Sequence, residues 1–362
     1  MSARVKVLLV DDSADDRQRI ADRLGHVPGV VMHTAPPPEK MDWHSLVEQA
    51  PDAVLVDYQL SGKEEGRPAA SYRGSTLAAL LREKLPNHPI VLITRAQLKS
   101  AGRFAPARDV EGAFDELLIK REIYDTPAAV GKTLMLLTTG FKLLAGVRKD
   151  WPNLRTILGA TREEDEQLLV ADPPEAVLHG ETWRVAEVAR WVRATLLKYP
   201  GIFYDSLHAA SLLGIDVKSY LRPSVQQFFQ EARYTGPFAS GAVVWKGRFL
   251  SLARELLRNA GLQDAPLTNF ATAWRKLRRV ALPQAVCIWS HETPADSVCF
   301  ILKKPVMRRH SLLYRPDTRP AIMDPARVSF RAIRESDDYE ERLLAPDSRA
   351  LAREVQREQS DA

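Results

Sequence analysis

Cysteine is nearly absent. Cys287 and Cys299 are the only two in 362 residues, too few for a disulfide scaffold and without metal-ligand spacing. A reduced, cytoplasmic setting is expected. Long apolar runs are missing too. No stretch of about 18 consecutive apolar residues occurs, so no membrane-spanning helix is expected. Charges at Arg4 and Lys6 come too early for the apolar core of a signal peptide. Acid is scarce in one region only. Residues 218–334 hold 20 Lys/Arg against 7 Asp/Glu, whereas residues 1–125 hold 17 against 19 and residues 335–362 hold 4 against 9. The overall net charge of +5 hides this division. A polyanion, if one binds, would meet residues 218–334. The other reading is the solvated surface of a basic protein.

What is present in residues 1–148 is an alternation of strand and helix. Apolar runs at 6–10, 29–34, 52–57, 89–94 and 115–120 read as strands, and Ser13 suits the N-cap of a helix carrying Ile20 and Leu24. Gly74-Ser75 opens a helix that stops at Pro86, and a long helical stretch covers 126–148. Continuous apolar strands between helices predict a parallel sheet covered on both faces, in the doubly wound α/β class. Such sheets carry their chemistry at the carboxyl ends of the strands. The residues there are Asp11 and Asp12, Asp57, Thr94 and Lys120. Three carboxylates at one edge repel unless a cation sits among them, and a hard divalent ion such as Mg²⁺ suits oxygen ligands.

This order of residues resembles the receiver domain of two-component response regulators, over about residues 4–148. The resemblance implies a five-stranded, flavodoxin-like sheet. It implies that Asp57 is the phosphoacceptor and that Asp11, Asp12, Asp57 and the backbone carbonyl of Gln59 hold Mg²⁺. It implies that Thr94 and Lys120 contact the phosphoryl oxygens, and that a histidine kinase or phosphotransfer protein is the donor. The chain departs from the family pattern at four points. About ten extra residues lie between Asp57 and Gly74; Arg121 stands where many members have Pro; Leu117 stands at the usual aromatic position; and Gly102 and Pro106 break the expected helix in 95–114. The intact acids, Thr94 and Lys120 favour a phosphorylatable receiver. The altered loop, helix and aromatic position favour a degenerate one, a non-catalytic scaffold acting through protein contacts.

Residues 149–182 read as a linker with one short helix, and residues 183–334 as a basic, mainly helical α+β output domain. GKT at 131–133 lacks the first glycine of a phosphate-binding loop, since position 126 is Thr126, so Lys132 reads as helix surface. AASLLGIDVKSYLR (209–222) resembles the helix-turn-helix of bacterial regulators, with Gly214 in the turn and Asp216 as a cap. Lys218, Ser219 and Arg222 would then face DNA. A plain helix pair is the alternative, because Pro223 cuts the second helix short. Lys246 and Arg248, and the cluster Arg275, Lys276, Arg278 and Arg279, are further candidates for phosphate contact. Residues 284–304 read as a hairpin holding both cysteines, and 335–362 as an acidic helical or disordered tail. No catalytic constellation appears there, so no enzymatic output is expected beyond the receiver's own phosphoryl chemistry. The expected function is that of an atypical response regulator that binds DNA. Phosphorylation would shift domain arrangement or homodimerisation, and the charge polarity suggests that the receiver and the tail occlude the basic segment.

Overall fold

The computed structural model describes residues 4–39, 43–61, 70–95, 113–147, 150–178, 184–241, 243–315 and 323–357. Two compact units form: Met1–Ile157 with Pro174–Val192 and Gly236–Phe238, and Leu158–Pro173 with Arg193–Thr235 and Ala239–Ala362.

In the first unit, β1 (Val5–Val10), β2 (Val30–Ala35), β3 (Ala53–Asp57), β4 (Ile90–Thr94) and β5 (Glu116–Ile119) pair in the order β2-β1-β3-β4-β5. Every pairing is parallel. This is the strand order of the flavodoxin-like doubly wound class. The central strands AVLVD and IVLIT are buried at every position because helices cover both faces. Those helices are α1 (Ala14–Gly25), α2 (His44–Val47), α3 (Gly74–Lys84), α4 (Lys120–Asp125) and α5 (Pro127–Gly146). The Ser13 side chain caps α1 by accepting from the Asp16 N–H at 3.2 Å. By length and composition α5 is apolar enough to cross a membrane. It buries Val130, Leu134, Leu137, Phe141 and Leu144, the stripe of a core helix.

Gly74 has a local reason. A Cβ there would lie 2.0 Å from the carbonyl oxygen of Asp57, and the Gly74 N–H donates to the Tyr58 carbonyl at 3.0 Å. The chain that leaves Asp57 thus returns to the same point. The inserted residues 62–69 and the stretch 96–112, on which the broken-helix expectation falls, lie outside the described residues.

The linker expectation for 149–182 is corrected. Three helices stand there: α6 (Trp151–Leu158), α7 (Arg162–Val170) and α8 (Glu175–Leu178). Leu154, Leu158, Leu168 and Val177 are buried, and Thr161 with Glu164 closes a capping box on α7. The polar run misled because α7 is only narrowly apolar. A short helix α9 (Val185–Arg190) follows in the first unit.

In the second unit, α10 (Ser206–Leu212), α11 (Val217–Tyr220), α12 (Pro223–Phe228), α13 (Lys246–Asn259) and α14 (Phe270–Arg278) enclose Tyr220, Phe229, Phe249, Phe270 and Trp274. Three two-stranded ladders accompany them: β6 (Phe203–Tyr204) with β7 (Val244–Trp245), β8 (Ser297–Val298) with β9 (Pro305–Val306), and β10 (Ser311–Tyr314) with β11 (Ala326–Ser329). The hairpin expected across 284–304 is therefore displaced toward residue 306. Gln284 instead bridges Ile215. Pro283 and Pro294 lack the N–H that a continuous ladder needs there.

The tail expectation changes as well. α15 (Phe330–Glu335) and α16 (Arg349–Arg357) pack together, and Leu343, Leu344, Ala352 and Val355 are buried with Val328 and Ile333. Residues 335–357 complete a core. Removing them would expose that core instead of unmasking a basic surface.

Candidate functional site

The carboxyl ends of the strands gather the acids. Asp11 follows β1 and is fully buried; Asp57 ends β3 at 7% exposure and Thr94 ends β4 at 2%. Lys120 opens α4 directly after β5 and is buried. Carboxylate oxygens of Asp11, Asp12 and Asp57 all lie within 4.8 Å of one another. The Lys120 ammonium reaches into this group, 2.7 Å from Asp11 Oδ2, 2.8 Å from Asp16 Oδ2 and 3.3 Å from Asp57 Oδ1. Asp11 Oδ1 accepts the Ser13 N–H at 2.8 Å. Gln59 is exposed two residues beyond the end of β3.

The charges set the titration. Burial pushes the Asp57 carboxyl up to about 7, Lys120 opposes this, and the charge of Asp11 adds to it. Burial likewise holds Asp11 above the usual carboxylate range against the pull of Lys120. Burial alone would lower Lys120, but Asp57, Asp11 and Asp16 outweigh it and hold the ammonium above its usual value. On Asp16 burial acts upward, and the hydrogen bond and charge of Lys120 prevail, so its carboxyl sits low.

A divalent cation fits this donor set. All the donors are hard oxygens, and Asp11 Oδ2 accepts no aligned hydrogen bond although Lys120 Nζ lies close to it. Burying several carboxylates beside one ammonium leaves an excess of negative charge that a second cation offsets.

Asp16 was not among the residues singled out from the sequence. Its signal was the doubled acidic pair in DDSADD. Only the packing of α1 against α4 brings its second pair member to Lys120.

The basic candidates of the second unit divide into two groups. Lys246 pairs with Asp324 at 2.5 Å. Arg248 donates to the Glu164 carboxylate and to the Gly159 carbonyl, both at 2.6 Å. These two cations are engaged in ion pairs within the unit and keep part of each side chain exposed. Ser219 is corrected, because it is 1% exposed on a four-residue α11 and faces the core. Gly214 takes a left-handed turn at φ 67°, and Asp216 caps the four-residue α11, on which Ser219 and Tyr220 are buried. Lys218, Arg275, Lys276, Arg278 and Arg279 are exposed. Arg222 joins that cluster by donating to the Ala281 carbonyl at 3.0 Å. Exposed Leu221, Leu277, Val280 and Val286 belong to the same stretches.

Strand order and strand-end residues thus define a flavodoxin-like unit with a buried acidic site. No family model matches the chain, and no curated protein matches it. Among solved structures, its N-terminal part aligns with receiver domains. The BeF3-activated receiver domain of Klebsiella pneumoniae RstA is 24% identical, covering 37% of this chain and 97% of that one, with a TM-score of 0.28. The signal receiver domain of a modulated diguanylate cyclase from Desulfovibrio desulfuricans G20 is 20% identical, covering 39% and 98%, with a TM-score of 0.31. The response regulator TrrA from Thermotoga maritima, solved with Mg²⁺ and BeF, is 20% identical, covering 36% and 98%, with a TM-score of 0.27.

Proposed function

We propose that the chain is a two-component response regulator whose first unit takes a phosphoryl group on Asp57. The observation that carries this is the convergence of Asp57, Asp11 and Asp12 at one sheet edge, with Lys120 on Asp57 and Asp11 and Thr94 ending the neighbouring strand. The donor is a cytoplasmic histidine kinase or phosphotransfer protein. An Asp57 carboxylate oxygen attacks phosphorus; the new O–P bond forms as the donor's P–N bond breaks, and the departing imidazole takes a proton. Asp11, Asp12, Asp57 and the Gln59 carbonyl would hold Mg²⁺, which would supply positive charge against the negative charge of the transferred group. Lys120 pairs with one of those oxygens and the Thr94 hydroxyl donates to another. The added charge of about −1.5 to −2 is what the rest of the molecule senses. No other enzymatic activity belongs to this reading.

The test is mass spectrometry after incubation with acetyl phosphate and Mg²⁺. One phosphoryl adduct is expected on the wild type and none on Asp57→Asn. An unmodified wild type favours the scaffold reading, to which Leu117 at the usual aromatic position also points.

The output we assign is DNA binding through Arg222, Arg275, Lys276, Arg278 and Arg279. No Asp or Glu occurs between Asp264 and Glu292, so the segment that carries four of these five cations brings no acid of its own against phosphates. Duplex DNA should shift the protein at low salt. Arg275→Ala with Arg279→Ala should weaken binding and flatten the salt dependence by about 2 units of log–log slope. An unshifted duplex at low salt rejects this output.

A further inference from the structure

We infer that Asp16 is a positioning residue that holds Lys120 back from Asp57 in the unmodified protein. The inference rests on the reading of Asp57 as the phosphoacceptor. Lys120 Nζ donates an aligned hydrogen bond to Asp16 Oδ2 at 2.8 Å and lies 2.7 Å from the metal-site acid Asp11, and its distance to Asp57 Oδ1 is longer, 3.3 Å. Asp16 is itself fixed. Its backbone N–H is bound by the Ser13 cap in the first turn of α1, and its other oxygen, Oδ1, accepts from the Tyr124 hydroxyl at 3.5 Å. Tyr124 stands one turn after Lys120 on α4, so α1 and α4 are tied by one carboxylate at two points. Arg95, the residue after Thr94, brings its guanidinium to 4.0 Å from Asp16 Oδ2.

An ammonium has three donors, and Asp11, Asp16 and Asp57 already claim them, so an added phosphoryl oxygen competes with an acid for one. A phosphoryl group on Asp57 must draw Lys120 toward itself, and Asp16 competes for the same ammonium. Occupation of Asp57 therefore loosens the Lys120–Asp16 bond, and with it the hold of α1 on α4. Arg95 stands ready to take over the Asp16 carboxylate. The site gains a route of communication through Asp16, Lys120 and Tyr124 in a chain that has Leu117 where an aromatic readout is usual.

Calorimetric titration of the full chain with beryllofluoride in saturating Mg²⁺ tests this without any covalent step. Asp16→Asn should bind beryllofluoride roughly threefold to tenfold more tightly than wild type. Asp15→Asn removes the same charge from the exposed side of the same turn and should bind as wild type does. Damage to the fold weakens binding, whereas release of Lys120 tightens it, so the direction separates positioning from structural support. Binding by Asp16→Asn equal to or weaker than wild type overturns the inference and leaves the phosphoacceptor reading standing. Binding by neither protein overturns both.

Discussion

Lys120→Met is expected to destabilise the first unit by about 3–5 kcal/mol in chelator at pH 8. Methionine nearly matches the length of lysine and removes only the ammonium. That ammonium lies within 3.3 Å of Asp11, Asp16 and Asp57, and two of these acids are almost fully buried. Taking away one partner of a buried ionic cluster leaves charges that neither water nor protein compensates. Added Mg²⁺ should recover much of the loss, since a cation bound only by the folded acids shifts the equilibrium toward them. Chemical denaturation followed by circular dichroism, with and without Mg²⁺, measures both effects. A loss below about 1 kcal/mol, the range of exposed ion pairs, would mean that water screens these acids.

Asp57→Asn should have the opposite sign, and its size should depend on pH. Without metal, the folded Asp57 keeps its proton up to about 7. An unfolded aspartate loses its proton near 3.9. The folded state therefore binds the extra proton between these values, so stability from this group is complete below about pH 4 and is lost as pH rises through about 7. The span corresponds to a contribution on the order of 4 kcal/mol. Asparagine cannot titrate. In chelator the variant should exceed wild type in stability above pH 7, and the difference should shrink toward pH 4. Lys120 does not disturb this window, because its raised value places its own titration in the alkaline range. Equal pH profiles for the two proteins would show that Asp57 ionises as a solvated carboxyl does.

The main acids and the lysine were legible because each ends a continuous apolar strand or follows one directly, and strand ends in a parallel sheet share one edge. Asp16 was not legible. Its acidic pair is equally at home on a solvated first turn, and only the approach of α1 to α4 decides which oxygen meets Lys120. The second unit shows the reverse. Gly214 and Asp216 take the turn and cap positions read from the sequence, yet Ser219 and Tyr220 turn inward. Local backbone preference is visible in five residues, while the face that a short helix presents depends on the aromatic core assembled around it. The same holds for Lys246 and Arg248, whose partners Asp324 and Glu164 are 78 and 84 residues away in the chain.

The hydrogen bond between Gly74 and Tyr58 gives the molecule a point of exchange. Both ends of the insertion after Asp57 are clasped at the strand's own terminus. Lengthening a loop whose ends already meet adds only about 0.6 kcal/mol per doubling. Segments of different length and chemistry can therefore be spliced between Ser61 and Ala70, with Gln59, the buried Leu60 and Tyr72 and the carboxylate kept in register. An engineer seeking a reporter or a new specificity beside Asp57 has a socket there, provided that residue 74 stays glycine.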